Sequence, residues 1–366
     1  MRNNKYSDYK IFGFPDKLKS FEESKIAAPL YVRIKPTNRC NHDCYWCVYA
    51  DSFRKKNKPD DFGSGHINSE MHTDMIESDT MPKEKLLETL DIFKEIGVKA
   101  VTYSGGGEPL FYKPIIEIMQ KTLDHGIDLS IITNGELLNG ERAEILSHAK
   151  WVRISMDYTN PLEMKNFRRV GDGSFNRVMD NINSFSKIKD TGCDLGINFI
   201  VHKDNCNNLV DFATLMKDYG VDNVRFSPMW LPGFTEYHKP FRDIVKSQLK
   251  EASKLIDDKF SVNSTYNTSD SAHSTTRTYK KCYINQIVPV LGADMNIYTC
   301  HNKAYDNLGV VGSIKDQDFK SMWFSKETEE FFNKFNPQKM CQHQCSADNK
   351  NIILNEYIES SFDNFI

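Results

Sequence analysis

The sequence has no long apolar run and no large excess of charge of one sign. None of its hydrophobic stretches approaches the roughly 20 residues of a membrane-spanning helix. The polar start from Met1 to Asp8 also lacks the apolar segment of a signal peptide. A formal net charge of −3 gives no basic surface for nucleic acid. These absences predict a cytoplasmic protein with neither a membrane nor a nucleic-acid partner.

The composition predicts a globular protein with a proper core. The 366 residues are 39% hydrophobic and 27% charged, enough for one large domain plus a smaller one, with no obvious internal repeat. Nine cysteines in a cytoplasmic chain favour metal binding or catalysis over disulfides. Their clustering at 40–47 and at 282–345 supports metal binding.

Apolar and helical stretches alternate through the first two thirds of the chain. The pattern predicts strands at 30–36, 98–103, 127–133, 151–156, 195–201 and 224–227, and helices at 83–96, 114–125, 141–148, 174–189, 207–219 and 241–258. Such alternation favours a parallel sheet. We therefore predict an α/β fold whose first domain, residues 1–260, is a partial (β/α)6 TIM-like barrel.

The character of the sequence changes near residue 260. The Ser-, Thr- and Asn-rich stretch 261–278 predicts a linker. Beyond it we expect strands at 286–291 and 296–299 and a helix at 317–335. Together with the cysteines at 282–345, these elements predict a small α+β iron–sulfur domain over residues 261–366.

Three cysteines near the start form the strongest motif. Cys40, Cys44 and Cys47, the first cysteine set, have the spacing Cys-x3-Cys-x2-Cys. Three thiolates can hold three irons of a 4Fe–4S cube and leave one iron open for a bound molecule. A zinc ion with a distant fourth ligand stays an alternative.

Several chemically distinctive groups follow the predicted strands directly. The first cysteine set, the turn from Ser104 to Pro109, Asn134 and Asp157 come after strands one to four. They should gather on one rim, because active sites of parallel barrels lie at the carboxyl ends of the strands. The glycine-rich turn matches neither the dinucleotide fingerprint nor the Walker pattern, and by itself it also fits a flexible connection.

The cysteine spacing, with Trp46 before the last cysteine, resembles the signature of the radical S-adenosylmethionine (radical SAM) enzymes. The resemblance covers roughly residues 25–258. It implies that Gly106, Gly107 and Glu108 bind the amino group of the methionine moiety, and that the backbone of Trp46 touches adenine. Ser155 and Asp157 match positions near the ribose and carboxylate of SAM, with Arg168 or Arg169 for that carboxylate. The cofactor-binding candidates are Trp46, Gly105, Gly106, Gly107, Glu108, Asn134, Ser155, Asp157, Arg168 and Arg169.

The second cysteine set comprises Cys282, Cys300, Cys341 and Cys345. Four protein ligands would close an auxiliary 4Fe–4S cluster. The arrangement resembles the short "twitch" form of the SPASM domain, because the longer form needs more cysteines than remain. The last pair departs from the expected pattern, since it is Cys-x3-Cys rather than Cys-x2-Cys. His343 as a ligand, and zinc as the metal, therefore stay alternatives.

The resemblance implies a reaction as well as a fold. One electron from a partner such as flavodoxin or ferredoxin, passed on by the first cluster, would split SAM to methionine and a 5′-deoxyadenosyl radical, which abstracts a hydrogen atom from the substrate. Oxidation follows if the auxiliary cluster accepts an electron. Epimerisation follows if a thiol returns a hydrogen atom, and Cys206, after strand five, is the candidate donor.

The substrate class follows least directly from the sequence. The short segment before the first cysteine set leaves no room for the leader-peptide module of many peptide-modifying relatives, which favours a small polar molecule such as a sugar, an aminocyclitol or a similar metabolite. Peptide or protein modification is the alternative. A non-catalytic iron–sulfur electron carrier is the alternative of another class, and the SAM-like turn argues against it. We expect His66, His72, His202 and His273 to be solvent or loop residues.

Overall fold

A computed structural model of the chain describes residues 7–44, 46–49, 74–230, 234–266, 276–341, 343 and 345–360. Ten strands in this part form one sheet, in the order β10-β9-β8-β1-β2-β3-β4-β5-β6-β7. The strands are β1 (Tyr31–Ile34), β2 (Ala100–Tyr103), β3 (Asp128–Thr133), β4 (Trp151–Ser155), β5 (Asp194–Val201), β6 (Asn223–Pro228), β7 (Ser261–Ser264), β8 (Val290–Leu291), β9 (Asn296–Tyr298) and β10 (Val310–Ser313).

Helices connect most of the strands. The α-helices are α1 (Pro15–Glu22), α2 (Lys83–Glu95), α3 (Ile115–Asp124), α4 (Gly140–Ser147), α5 (Pro161–Arg168), α6 (Ser174–Ile188), α7 (Leu209–Asp218), α8 (Phe234–His238), α9 (Arg242–Ala252), α10 (Ile284–Ile287), α11 (Phe319–Trp323), α12 (Lys326–Lys334), α13 (Pro337–Met340) and α14 (Asp348–Glu359). Short 3-10 helices lie at Asp8–Gly13, Pro109–Phe111, Lys239–Phe241, Ser253–Leu255, His301–Lys303 and Asn307–Gly309.

The first seven strands are parallel and lie in chain order. Each of β1 to β6 pairs in parallel with the strand that follows it. Their carboxyl ends therefore meet at one edge of the sheet. Within the described residues no ladder joins β7 to β10, so the sheet is open. This α/β fold, with a mostly parallel sheet, is consistent with a partial TIM-like barrel and confirms the predicted fold class.

The core forms between the strands and the helices that follow them. Val32 and Ile34 alternate along β1 and are fully buried. On α2, Leu86, Leu90 and Phe93 recur at helical spacing and are fully buried. Apolar periodicity of two in the strands and near 3.6 in the helices therefore makes these elements recognisable from sequence.

The chain beyond residue 260 extends the same sheet at both edges. β8 pairs in parallel with β1, whereas β9 and β10 add antiparallel strands beyond it. The predicted linker over 261–278 is wrong at its start, because 261–264 forms β7 against β6. Residues 267–275 of that stretch lie outside the described part. The predicted boundary near residue 260 stays a prediction.

Two further elements differ from the sequence prediction. The strand expected over 286–291 starts only at Val290, because helix α10 occupies 284–287 and ends ahead of Pro289. The single helix expected over 317–335 is two helices, since Ser325 starts a new one by accepting a hydrogen bond from the Thr328 amide.

Candidate active site

The glycine-rich turn after β2 packs against the chain just before the first cysteine set. The Gly107 amide donates to the Thr37 carbonyl at 3.1 Å, and the Glu108 amide donates to the Arg39 carbonyl at 2.9 Å. These bonds fasten the turn after β2 to the segment that leads into Cys40. The two motifs that the sequence placed on one rim are therefore in direct contact.

Two glycines of the turn have no room for a side chain. A Cβ at Gly106 would lie 2.0 Å from Asn38 Oδ1, and one at Gly107 would lie 2.0 Å from the Arg39 carbonyl oxygen. At Gly106 the nearest atoms belong to the Asn38 side chain, whereas at Gly107 they are backbone atoms of Asn38 and Arg39. A side chain at Gly107 would therefore push away the loop that carries the first cysteine set (the cysteine loop), so glycine is required there for close approach of two backbones.

The thiols of the first cysteine set lie close enough to interact electrostatically. Burial of the sulfur by surrounding protein atoms raises the pKa of the Cys40 thiol, although the residue as a whole is exposed to solvent. The negative charges of Glu108, Cys44 and Cys47 raise this pKa further. Metal coordination deprotonates such thiols outright. The donor set therefore fits an iron–sulfur cluster, whose positive irons would offset the charge that the thiolates share.

Arg168 connects the first cysteine set to the end of β4. Its Nη1 donates to Cys44 Sγ at 3.3 Å, and its Nη2 donates to Asp157 Oδ1 at 2.9 Å and to the Ser155 carbonyl at 3.0 Å. Its guanidinium also lies 4.8 Å from the centre of the Trp46 ring. The structure thus brings together five of the residues expected around the cluster and SAM.

One of the two carboxylate oxygens of Asp157 is available to a further hydrogen-bond partner. Its side chain is fully buried, and Oδ2 has no hydrogen-bond partner among the described residues. Burial raises the pKa of Asp157 to about 6, although Arg168 opposes the shift. The buried Ser104 hydroxyl, at the end of β2, likewise has no partner in the described part. Such groups fit a polar ligand at the rim.

Glu108 is buried and accepts three hydrogen bonds. Oε1 accepts from the Thr133 hydroxyl at 2.6 Å and from the Leu110 amide at 3.1 Å, and Oε2 accepts from the Asn134 amide at 2.7 Å. Burial raises the pKa of Glu108 to about 7, against these hydrogen bonds. A cationic ligand beside Glu108 would restore its charge, as expected of the SAM amino group.

The loop after β3 holds the loop of the first cysteine set through the predicted Asn134 and through residues that the sequence analysis missed, namely Asn41, His42, Glu136 and Ser174. Asn134 Nδ2 donates to Asn41 Oδ1 at 2.8 Å, and Glu136 Oε2 pairs with His42 Nε2 at 2.7 Å. Ser174 on α6 donates to the other Glu136 oxygen at 2.9 Å. The polar residues Asn41 and His42 inside the Cys-x3-Cys run indicate that this loop makes hydrogen bonds. The sequence could not identify their partners, because these lie more than 90 positions away.

Two further candidates make other contacts. Arg169 adopts a left-handed conformation (φ 51°), and its guanidinium lies 3.5 Å from Asp43, between Cys40 and Cys44, whereas it is Arg168 that donates to a cysteine thiol. The buried Cys206 thiol donates to the Lys203 carbonyl of its own turn at 3.3 Å.

His202 lies in the loop directly after β5, as expected, but it is not exposed to solvent. It is fully buried, with its ring centre 4.6 Å from that of Phe167 and 6.0 Å from that of Trp46. His66, His72 and His273 lie outside the described residues.

The second cysteine set comes together from four separate segments. Cys282 precedes α10, Cys300 follows β9, and Cys341 and Cys345 lie between α13 and α14. Burial raises the pKa of Cys282, and the charges of the other three thiols raise it further. Those three also act on one another, so all four thiols share one electrostatic site.

Polar side chains support the second cysteine set. Asn351 Nδ2 donates to Cys282 Sγ at 3.3 Å. His343 Nδ1 contacts Asn302 Nδ2 at 3.0 Å, and the His343 carbonyl accepts from the buried Arg277. One ring nitrogen of His343 is thus already engaged within the protein.

A single-ion site is not preformed at either set. Within the described ranges no group of three Cys, His, Asp or Glu side chains is placed to hold one metal ion. Each thiolate of a 4Fe–4S cube binds a different iron, so its ligands stand further apart than those of one zinc ion. In the same part of the chain no helix is long and apolar enough to cross a bilayer.

Comparison with known proteins gives sequence relatives of two named activities. The chain is 32% identical over 200 residues to GTP 3′,8-cyclase of Limosilactobacillus fermentum, covering 54% of this chain and 53% of that protein. It is 24% identical over 237 residues to PqqA peptide cyclase of Bradyrhizobium diazoefficiens, covering 63% and 54%. The chain therefore spans about half the length of these curated relatives.

A solved structure shares the fold over the whole chain. SuiB of Streptococcus suis bound to SAM superposes with a TM-score of 0.63 at 14% identity, covering 100% of this chain and 82% of SuiB. SuiB bound to its precursor peptide SuiA gives 0.62 at 15% identity.

The profile of the radical SAM superfamily matches residues 34–216, which is half of the chain. This span starts at the end of β1 and includes the first cysteine set, the glycine-rich turn and Arg168. By this match and the geometry of the rim, the chain belongs to the radical SAM superfamily.

Proposed function

We propose that this radical SAM enzyme uses two 4Fe–4S clusters, one on each cysteine set, and oxidises its substrate by removing two hydrogens. The observation that carries the second cluster is the mutual charge interaction of Cys282, Cys300, Cys341 and Cys345. Residues 261–366 would then form a twitch-like domain.

Different residues at the rim would have different roles in binding SAM. Bound at the first cysteine set, a 4Fe–4S cluster would supply the electron that splits SAM. Glu108 would accept the amino group, since it is buried and needs a cation to ionise fully at neutral pH. Gly106 and Gly107 keep the turn against the cysteine loop. Arg168 holds Asp157 in place and donates to Cys44.

The outcome of hydrogen abstraction depends on the second cysteine set. A substrate that has lost a hydrogen atom to the 5′-deoxyadenosyl radical becomes a two-electron oxidation product by losing one electron and one proton. An auxiliary cluster is an acceptor for that electron. Cys206 is poorly placed for epimerisation, because its thiol points to the Lys203 carbonyl in its own turn.

We propose a small polar molecule as substrate, in the cytoplasm, with flavodoxin or ferredoxin as the reducing partner. Support comes from relatives named GTP 3′,8-cyclase, whose name specifies a nucleotide. Peptide modification is the second candidate, and the relative named PqqA peptide cyclase favours it.

The decisive experiment measures SAM cleavage. Anaerobically reconstituted and reduced protein is given SAM together with nucleotides, sugars and aminocyclitols, or with short peptides. We expect 5′-deoxyadenosine to rise with a small polar molecule. A rise with peptides alone would move the assignment to the second candidate. No cleavage with any substrate and a full iron complement would reject the proposal.

Substitution of one cysteine, Cys206, distinguishes oxidation of the substrate from its epimerisation. Cys206→Ala should leave a dehydrogenase active and stop an epimerase after one turnover. Cys193→Ala is the matched control, since its buried thiol contacts the Leu146 carbonyl at 3.7 Å. Loss of turnover in Cys206→Ala alone would contradict the oxidation proposal.

A further inference from the structure

Lys35 is a fully buried lysine just beyond the end of β1. Its Nζ donates to the Tyr49 hydroxyl at 2.8 Å and to the Gly105 carbonyl of the glycine-rich turn. The ammonium also lies 4.3 Å from the centre of the Tyr49 ring and 5.9 Å from that of Tyr305. Among the described contacts of Nζ there is no carboxylate.

Tyr49 connects this lysine to the second cysteine set. It lies two residues after Cys47, and its hydroxyl is 3.3 Å from the ring of His301, the residue after Cys300. The charges of Cys47 and of Cys300 both act on the Tyr49 hydroxyl. A continuous polar chain therefore runs from the Gly105 carbonyl through Lys35 and Tyr49 to His301.

Burying an ammonium group without an anion is costly, so this placement requires a compensating charge. Burial and the nearby Arg33 lower the pKa of Lys35, whereas the charge of Cys47 raises it. A thiolate-bound cluster provides negative charge that would keep Lys35 protonated. A methionine would fill the same space with no such cost, so simple packing does not explain the lysine.

We propose that Lys35 is a positioning residue that supplies the buried counter-charge for both clusters, acting on the first directly and on the second through Tyr49 and His301. A positive charge nearby stabilises the reduced form, which carries one more negative charge. Lys35 therefore raises the reduction potentials of both clusters. This inference rests on the proposed second cluster for its second half only.

The test is an EPR-monitored redox titration of the reconstituted enzyme. We expect Lys35→Met to keep its iron and to need a lower potential for reduction of both clusters. At a fixed potential the reduced-to-oxidised ratio should fall about tenfold, which corresponds to roughly 59 mV for one electron. Tyr49→Phe keeps the ring but loses the hydroxyl link, and should shift the second cluster alone. Lys189→Met is the control, because Lys189 pairs with Asp222 near the opposite end of β5.

Unchanged potentials in an iron-replete Lys35→Met would overturn the proposal. If that variant fails to load iron, Tyr49→Phe decides: a selective shift of the second signal supports the proposal, and no shift overturns it. A wild-type protein with about four irons would reject the second cluster and hence the proposed function. In that case the shift of the first cluster in Lys35→Met still tests the role of the lysine.

Discussion

Replacing Gly107 by alanine tests the contact between the glycine-rich turn and the cysteine loop. The added Cβ would lie 2.0 Å from the Arg39 carbonyl oxygen, 2.4 Å from the Arg39 carbonyl carbon and 2.6 Å from the Asn38 carbonyl carbon. All three are backbone atoms, so no side chain can turn away. Overpacking costs about 1–3 kcal/mol, and we expect the upper end here, about 3 kcal/mol.

The cost can appear in either of two measurements. If the turn stays in place, the free energy of unfolding falls by about 3 kcal/mol in urea titrations. If the turn moves away, Cys40 and Glu108 separate, and the Kd for SAM rises by about a hundredfold, since each 1.4 kcal/mol is a factor of ten. Anaerobic calorimetry on the iron-loaded protein gives the second value.

Gly192→Ala is the matched control. A Cβ at Gly192 meets nothing within 4 Å, and its φ lies outside the left-handed range. We expect this variant to resemble the wild type in stability, iron content and SAM affinity. A Gly107→Ala protein that matches Gly192→Ala in all three would refute the argument that the two backbones need close approach.

Three further predictions concern charge and iron. SAM affinity should rise with pH through about 7, because the SAM ammonium binds the ionised form of Glu108, whose pKa burial raises to about 7; a flat binding profile from pH 6 to 7.5 would contradict this role. Cys341→Ala should retain about four irons where the wild type holds about eight, because one cluster loses a ligand; an unchanged iron assay would place the second cluster elsewhere. Arg168→Met should lower the free energy of unfolding by about 3–5 kcal/mol, because it leaves Asp157 buried without its cation. Adding Asp157→Asn should restore part of that loss, and additive losses would argue against the ion pair.

Most strands and helices of the first two thirds were predictable because their apolar periodicity is local, whereas the short helices α1, α5 and α8 were not predicted. Val32 and Ile34 in β1, and Leu86 and Leu90 in α2, reveal their elements within a few residues. The helix break at Ser325 was harder to predict. Helix α11 ends at the buried Trp323, whose indole donates to the Ala27 carbonyl at 3.0 Å. Ala27 lies almost 300 positions away, so no local pattern shows this contact.

The sequence alone identified the first cysteine set as a metal-binding motif. The spacing of Cys40, Cys44 and Cys47 and the turn before Glu108 are short-range patterns, and the family match includes both. Spacing also identified the second cysteine set as a group. It gave no means of choosing between Arg168 and Arg169, because both are equally basic.

Only the tertiary structure decided which side chains face one another across the rim. Arg169, in a left-handed conformation, pairs with Asp43, whereas Arg168 donates to the thiol of Cys44. The polar chain from Lys35 through Tyr49 to His301 could not be predicted either, because Lys35 follows Tyr31 and Arg33 on the more polar side of an alternating strand and nothing local indicates its burial. Such contacts join residues up to about 250 positions apart. They form because the C-terminal part of the chain adds β8, β9 and β10 to the sheet beside β1, which brings the residues after β9 near the segment after β1.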